Sequence, residues 1–217
     1  MGVAVRASDS NTISGNTIQN CFDESLFLEA SSENYVYLNT VHCHGYTCGE
    51  GAVIIGHVDS NHGCAQTLFS DNNILSTNTI SADGGGSFRE GMSIYGDGLT
   101  RNNTLYNNSI SGSAQHGIVI SGAWLSSPTR DQCFGGVQDP PGDINSRNGH
   151  GLNTFSANTI GTVASTGIWV GSNNNNIVNN TVLSAPENGI YLDMPSTTMF
   201  DDCCCSGPGK FIDDLSD

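Results

Sequence analysis

An eight-residue pattern, N-x-φ-x-x-N-x-φ with φ apolar, recurs six times along the chain, at Asn11–Ile18, Asn34–Val41, Asn73–Ile80, Asn103–Ile110, Asn153–Ile160 and Asn175–Val182. Between the copies runs a second short signal, G-φ-x-φ, headed by Gly2, Gly51, Gly91, Gly117, Gly167 and Gly189, with Ser25 in the glycine's place once. Self-similarity with a period of roughly 20–50 residues marks a solenoid, in which each repeat buries its apolar residues only by stacking on its neighbours. The shortest full periods are 22 and 23 residues, from Gly167 to Gly189 and from Gly2 to Ser25. Three strands of three or four residues joined by tight bends, closing in that length, describe one coil of a right-handed parallel β-helix. About seven such coils fit the chain, so the expected fold class is all-β.

Alternation along a strand then assigns the faces. The φ of each N-x-φ and both φ of each G-φ-x-φ enter the core, and the residues between them point out. In the third coil this makes Ala52 and Ile54 inward and Val53 and Ile55 outward. Asparagine is expected to head the strands because it tolerates the left-handed bend and because stacked amides hydrogen-bond from coil to coil. Both asparagine columns are therefore structural. Residues 1–194 form the solenoid, with insertions at about 57–72 and 123–152, and residues 195–217 form an acidic, Cys-rich tail.

Composition agrees with many tight turns and few charges. Only 12% of the 217 residues are charged, and 21 acids against six Lys and Arg give a net charge of −15. With no basic run, a nucleic-acid partner is not expected. No apolar run approaches the ~20 residues of a membrane span. Eight cysteines point to an oxidising compartment. Sequons at Asn102, Asn107 and Asn179 permit glycosylation. The expected location is extracellular or the cell surface, with the chain a mature or truncated piece of a secreted protein.

The N-x-I-x-x-N-x-I repeats resemble those of the pectate-lyase-like right-handed β-helix superfamily, as in mannuronan C-5 epimerase-like and NosD-like proteins. The resemblance covers about residues 2–193. It implies a fold, and it implies polysaccharide chemistry only as an expectation, because the shared residues are structural.

Function on a solenoid is expected where insertions break the repeat. The stretch from Gly51 to Asn73 and that from Gly117 to Asn153 are far longer than their counterparts, and the corners HCHGYTCGE and ADGGGSFRE are also extended. Loops from these places would wall a groove over the glycine-led strands. Its floor is expected to carry Val53, Ile55, Ser93 and Tyr95, continuing through Val119, Ser121, Trp169 and Tyr191. A column of residues preceding the glycines, Glu24, Glu50, Glu90 and His116, lies alongside. His44 and Arg89 belong to the adjacent wall, and Arg147 and His150 to the long insertion.

The chemistry of that set points two ways. Tyr95, His57, His116 and Arg89 have the makings of proton abstraction at a uronic-acid C5, in which a cation neutralises the carboxylate so that the carbanion can form. Asp97, Trp169, Tyr191, Arg147 and His150 would then bind substrate. Glu50 and Glu90, stacked on adjacent coils, would repel unless a cation such as Ca²⁺ or Arg89 intervened. Tyr95-Gly96-Asp97 loosely resembles the Tyr-Gly-x-Asp-Pro-His motif of mannuronan epimerases but lacks its proline and histidine. The Gly149-His150-Gly151 triplet resembles that of polygalacturonases without the preceding aspartates. The expected function is a polysaccharide lyase or C-5 epimerase, favoured over a glycoside hydrolase. The alternative is a non-catalytic sugar-binding, adhesive or surface-structural β-helix. An outward hydroxyl ladder (Thr17, Thr40, Thr79, Ser109, Thr159, Thr181) adds ice binding as a remote third. Cys43 and Cys48, flanked by His42 and His44, suit a loop disulfide, a Cys21–Cys43 bridge or a metal site. Cys64 and Cys133 would staple the insertions.

Overall fold

A computed structural model of the chain describes residues 1–45, 47–49, 51–56, 70–94, 100–112, 115–121, 152–171, 174–192 and 210–211. Among the described residues there is no helix, and the strands form three sheets. The glycine-strand sheet contains Val3–Arg6, Leu26–Glu29, Gly51–Ile55, Glu90–Ile94, His116–Ser121, Thr166–Gly171 and Asn188–Leu192, adjacent in that order and all parallel. Each asparagine half-repeat supplies one of two further parallel sheets of six strands. One runs from Thr12–Ser14 to Asn176–Val178, the other from Thr17–Gln19 to Thr181–Ser184. Successive strands of the chain visit the three sheets in turn, as a β-solenoid requires.

The core is a set of apolar columns, one residue per strand. Leu26, Val53, Met92, Ile118 and Ile168 stack across the glycine-strand sheet, all in the main buried cluster. Val36, Leu75, Leu105 and Phe155 stack in the first asparagine sheet, and Val41, Ile80, Ile110 and Ile160 in the second. Each fully buried side chain of this size contributes about 1.5–3 kcal/mol relative to exposure. Lys210–Phe211 pairs antiparallel with Tyr191 and Leu192, so one short piece of the tail closes that edge of the sheet.

The asparagine columns behave as ladders. Nδ2 of Asn16, Asn39, Asn78, Asn108 and Asn158 each donates to Oδ1 of the next member, ending at Asn180, over 2.9–3.1 Å. The parallel column from Asn11 to Asn175 does the same at 2.9–3.3 Å. The left-handed bend, however, falls elsewhere. It is taken by the residue before each ladder asparagine: Ser10, Glu33, Asn72, Asn102, Leu152 and Asn174 in one column, Gly15, Leu38, Thr77, Asn107, Ala157 and Asn179 in the other. The asparagines are held by their amides, and the preceding residue turns the chain so that each amide points along the stack. Leu38 and Leu152 adopt this conformation against the steric preference of L-residues, at roughly 1–2 kcal/mol each.

The third glycine strand corrects the expected register. Val53 lies opposite Met92 and Ile55 opposite Ile94, so these two residues are inward and Ile54 faces out. Gly51 pairs with Glu90, and Ala52 takes the column that Gly91, Gly117 and Gly167 occupy elsewhere. Two local facts agree. A Cβ on Gly51 would meet Ile54 and Ser93, on the outer face, whereas one on Gly91 would sit 2.4 Å from Cγ2 of the core residue Ile110. A one-residue slip of this kind moves every side chain of a strand to the opposite face.

Candidate functional site

The outer face of the glycine-strand sheet carries Ala4, Phe27, Ile54, Ser93, Val119, Trp169 and Tyr191 in one row. Phe27, Ile54, Ser93 and Val119 are buried although they point away from the core. Over Phe27 lies the Arg6 guanidinium, 5.6 Å from the ring centroid, and Arg6 Nε is 2.7 Å from Glu29 Oε2. At the other end the row becomes aromatic. The rings of His116 and Trp169 meet edge to face with centroids 5.1 Å apart, and those of Trp169 and Tyr191 at 6.1 Å.

Among the polar atoms of described residues that are buried on this face without a hydrogen-bond partner are Ser93 Oγ, His116 Nδ1 and Trp169 Nε1. Buried polar groups are nearly always paired, so unpaired atoms on adjacent strands call for an explanation. Together they offer an obligate donor (the indole N–H), a hydroxyl that both donates and accepts, and an imidazole nitrogen whose role follows its tautomer.

His116 sits beside charge as well as aromatic rings. Its backbone N–H donates to the Arg89 carbonyl at 3.3 Å, and it lies opposite Glu90 in the register. Burial pushes its pKa below the ordinary 6.5, with Arg89 acting in the same direction and Glu187 opposing. The ring is therefore neutral at pH 7 and able to accept a proton. Arg89 Nε is 3.9 Å from Glu90 Oε1. Glu187 in turn accepts a hydrogen bond from Ser165.

The structure thus gathers five of the residues expected from the sequence: His116, Arg89, Glu90, Trp169 and Tyr191. Tyr95, His57, Asp97, Arg147, His150 and Glu50 lie outside the described residues, as do Cys64, Cys133 and nearly all of both insertions. The column Glu24–Glu50–Glu90–His116 is corrected by the register, because Gly51 occupies the position beside Glu90. Val53 and Ile55 leave the groove floor for the core, as described above. Ca²⁺ takes about six to eight oxygen ligands. The described strand neighbours of Glu90 are Gly51 on one side and His116 on the other, and Glu50 lies outside the described residues.

No family model, curated protein or solved structure matches this chain. Its chemistry must be read from its own residues.

The remaining sequence expectations resolve on the second asparagine sheet. Its hydroxyl ladder is in register and exposed throughout, from Thr17 to Thr181. Among the described residues Cys43 is joined to Cys48, and Cys21 is a free thiol. Asp83, which the repeat pattern did not single out, lies beside His44, and a hydrogen bond from that imidazole holds its carboxyl below the usual range. The signal was present in the two extended corners, which begin at His42 and Ala82, but only the register joins them. Among the described residues no helix is long and apolar enough to cross a membrane.

Proposed function

We propose that the outer face of the glycine-strand sheet holds a polysaccharide, with Trp169 and Tyr191 as the stacking platform and His116 at its reactive end. The observation that carries this reading is the row His116–Trp169–Tyr191 together with the unpartnered Ser93 Oγ, His116 Nδ1 and Trp169 Nε1. Sugar rings present apolar C–H faces to aromatic rings and hydroxyls to just such a mixture of donors and acceptors. The finer fold assignment, a right-handed pectate-lyase-like β-helix of about seven coils, belongs to the same proposal and is supported by the repeat and the three parallel sheets. An extracellular or cell-surface location goes with it.

The chemistry that this set would perform is proton abstraction at C5 of a uronic-acid residue. Neutral His116 takes the proton, and the Arg89 guanidinium offsets the charge that builds on the substrate carboxylate. Tyr95 and His57 are the sequence's candidates for the returning proton. Reprotonation from the other face gives epimerisation; departure of the C4 oxygen gives a lyase product. The acids Glu24 and Glu90 on the same edge favour a second reading, in which the face binds a neutral sugar chain without turnover, because they oppose a polyanion.

The test measures binding of the full chain to a panel of acidic and neutral polysaccharides, with and without Ca²⁺. Turnover is followed by ultraviolet absorbance of unsaturated ends and by NMR of epimerised residues. Trp169→Ala should weaken binding about tenfold or more, the equivalent of ~1.4 kcal/mol. His116→Gln should keep binding and abolish turnover. Binding without turnover in the parent chain selects the second reading. Absence of binding to every polysaccharide overturns both.

A further inference from the structure

On the second asparagine sheet, well away from the aromatic row in the sequence of strands, three metal-ligating side chains meet. His42 and His44 alternate with Cys43 along Thr40–His44, so both imidazoles leave one face while Cys43 is buried in its disulfide. In the neighbouring strand, Thr79–Asp83, the register sets Ser81 beside His42 and Asp83 beside His44. The ligand atoms of His42, His44 and Asp83 all lie within 4.8 Å of one another. We propose that these three residues bind a divalent transition ion of the zinc class.

The donor set is the first argument. Two imidazole nitrogens and one carboxylate oxygen suit Zn²⁺ and its neighbours, whereas Ca²⁺ and Mg²⁺ are held by oxygens. Geometry is the second. His42 Nε2 stands 3.4 Å from Asp83 Oδ1, roughly the edge of a tetrahedron whose metal–ligand bonds are ~2.0–2.2 Å. His44 Nδ1 is closer to the same oxygen, at 2.5 Å. Opening that pair to the same edge takes a shift of less than about 1 Å by an exposed carboxylate.

The supporting shell is the third. The other nitrogen of His42, Nδ1, is 2.9 Å from Ser81 Oγ. With Nδ1 as the donor to that hydroxyl, the tautomer a metal would select, the Nε2 lone pair faces Asp83, the second-sphere device that metal-binding histidines use. Gly84, at φ +57°, makes room for the other ring: a Cβ there would lie 2.4 Å from His44 Cε1. The backbone on both sides is anchored. The disulfide and the Cys48 N–H to Ser87 carbonyl bond (2.8 Å) hold one corner, and Gly86 N–H to the Asp83 carbonyl (2.7 Å) holds the other. Side chains of His44 and Asp83 are each 63% exposed, which leaves the remaining coordination positions open to water or to a ligand.

The experiment is a Zn²⁺ titration of the intact, disulfide-bonded chain against a chromophoric chelator, with Ca²⁺ as a control ion and Co²⁺ to report geometry by its visible d–d bands. A high-affinity equivalent is expected for Zn²⁺ and none at this site for Ca²⁺. Asp83→Asn, which keeps a hydrogen-bond acceptor for His44, and His44→Ala should each weaken that equivalent by more than about a hundredfold; Ser81→Ala should weaken it about 10–100-fold. All three positions are at the surface or its edge, so unchanged circular dichroism will separate lost ligands from lost fold. A chain that leaves Zn²⁺ with the chelator, or one whose affinity is the same in Asp83→Asn and His44→Ala, overturns the proposal.

Discussion

His116 meets Trp169 edge to face, with ring centroids 5.1 Å apart, and each ring buries a nitrogen that no hydrogen bond satisfies. Such a pair is stabilised by the attraction of ring edge to ring face, of order 0.5–1.5 kcal/mol beyond burial. It also leaves unsatisfied polarity on the one face where the sequence expects a ligand.

This environment gives the imidazole a distinct titration. Burial lowers the His116 pKa from 6.5, so in the folded chain it should protonate below that value. The sign follows from linkage: between its folded value and 6.5 the unfolded chain binds the extra proton, so this group's contribution to stability falls as pH drops through that window. An NMR titration of the ring protons checks it, and a midpoint at or above 6.5 would show that desolvation is not the controlling effect. Saturating polysaccharide should shift the same resonance.

The amide ladder predicts an unequal cost along one column. Asn78 accepts from the Asn39 backbone and side chain and donates to Asn108 Oδ1 and to the Val36 carbonyl, all at 3.0–3.1 Å and all buried. Asn78→Ala orphans these partners at once, and about 3–5 kcal/mol should be lost, since each unsatisfied buried group costs ~1–3 kcal/mol. Asn16 makes the same type of contact at the exposed end of the stack, so Asn16→Ala should cost under about 1 kcal/mol. Chemical denaturation of the two variants measures the difference; equal losses would mean that the ladder is incidental to stability.

The glycine column makes a steric prediction. A Cβ on Gly117 would lie 2.5 Å from Ile160 Cγ2 and 2.6 Å from the Gly167 carbonyl oxygen, whereas one on Gly189 would meet nothing within 4 Å. Gly117→Ala should therefore destabilise by about 1–3 kcal/mol through overpacking. Gly189→Ala should be neutral or slightly stabilising, because it only restricts the unfolded chain. Thermal melts of the pair decide it, and the prediction fails if Gly117→Ala melts no lower than Gly189→Ala.

The repeat alone determined most of the scaffold. Because identical positions stack, the spacing of Asn73 and Asn78 or of Leu105 and Ile110 already states which residues pair, which are buried and which amides form ladders. What it could not state was how a corner of unusual length absorbs its extra residues. Counting from Gly51 placed Glu50 beside Glu90 and turned Val53 outward. The folded chain instead takes up one more residue in that corner, so Gly51 stands beside Glu90 and Val53 joins the core. Alternation has a period of two, so that single residue exchanges inside for outside. The same reason hid Asp83. His42 and His44 announce themselves two apart on one strand, but their carboxylate partner comes from the next coil. Its place beside His44 was decided by the stacking of two strands at ~4.8 Å, a distance that no reading along the chain contains.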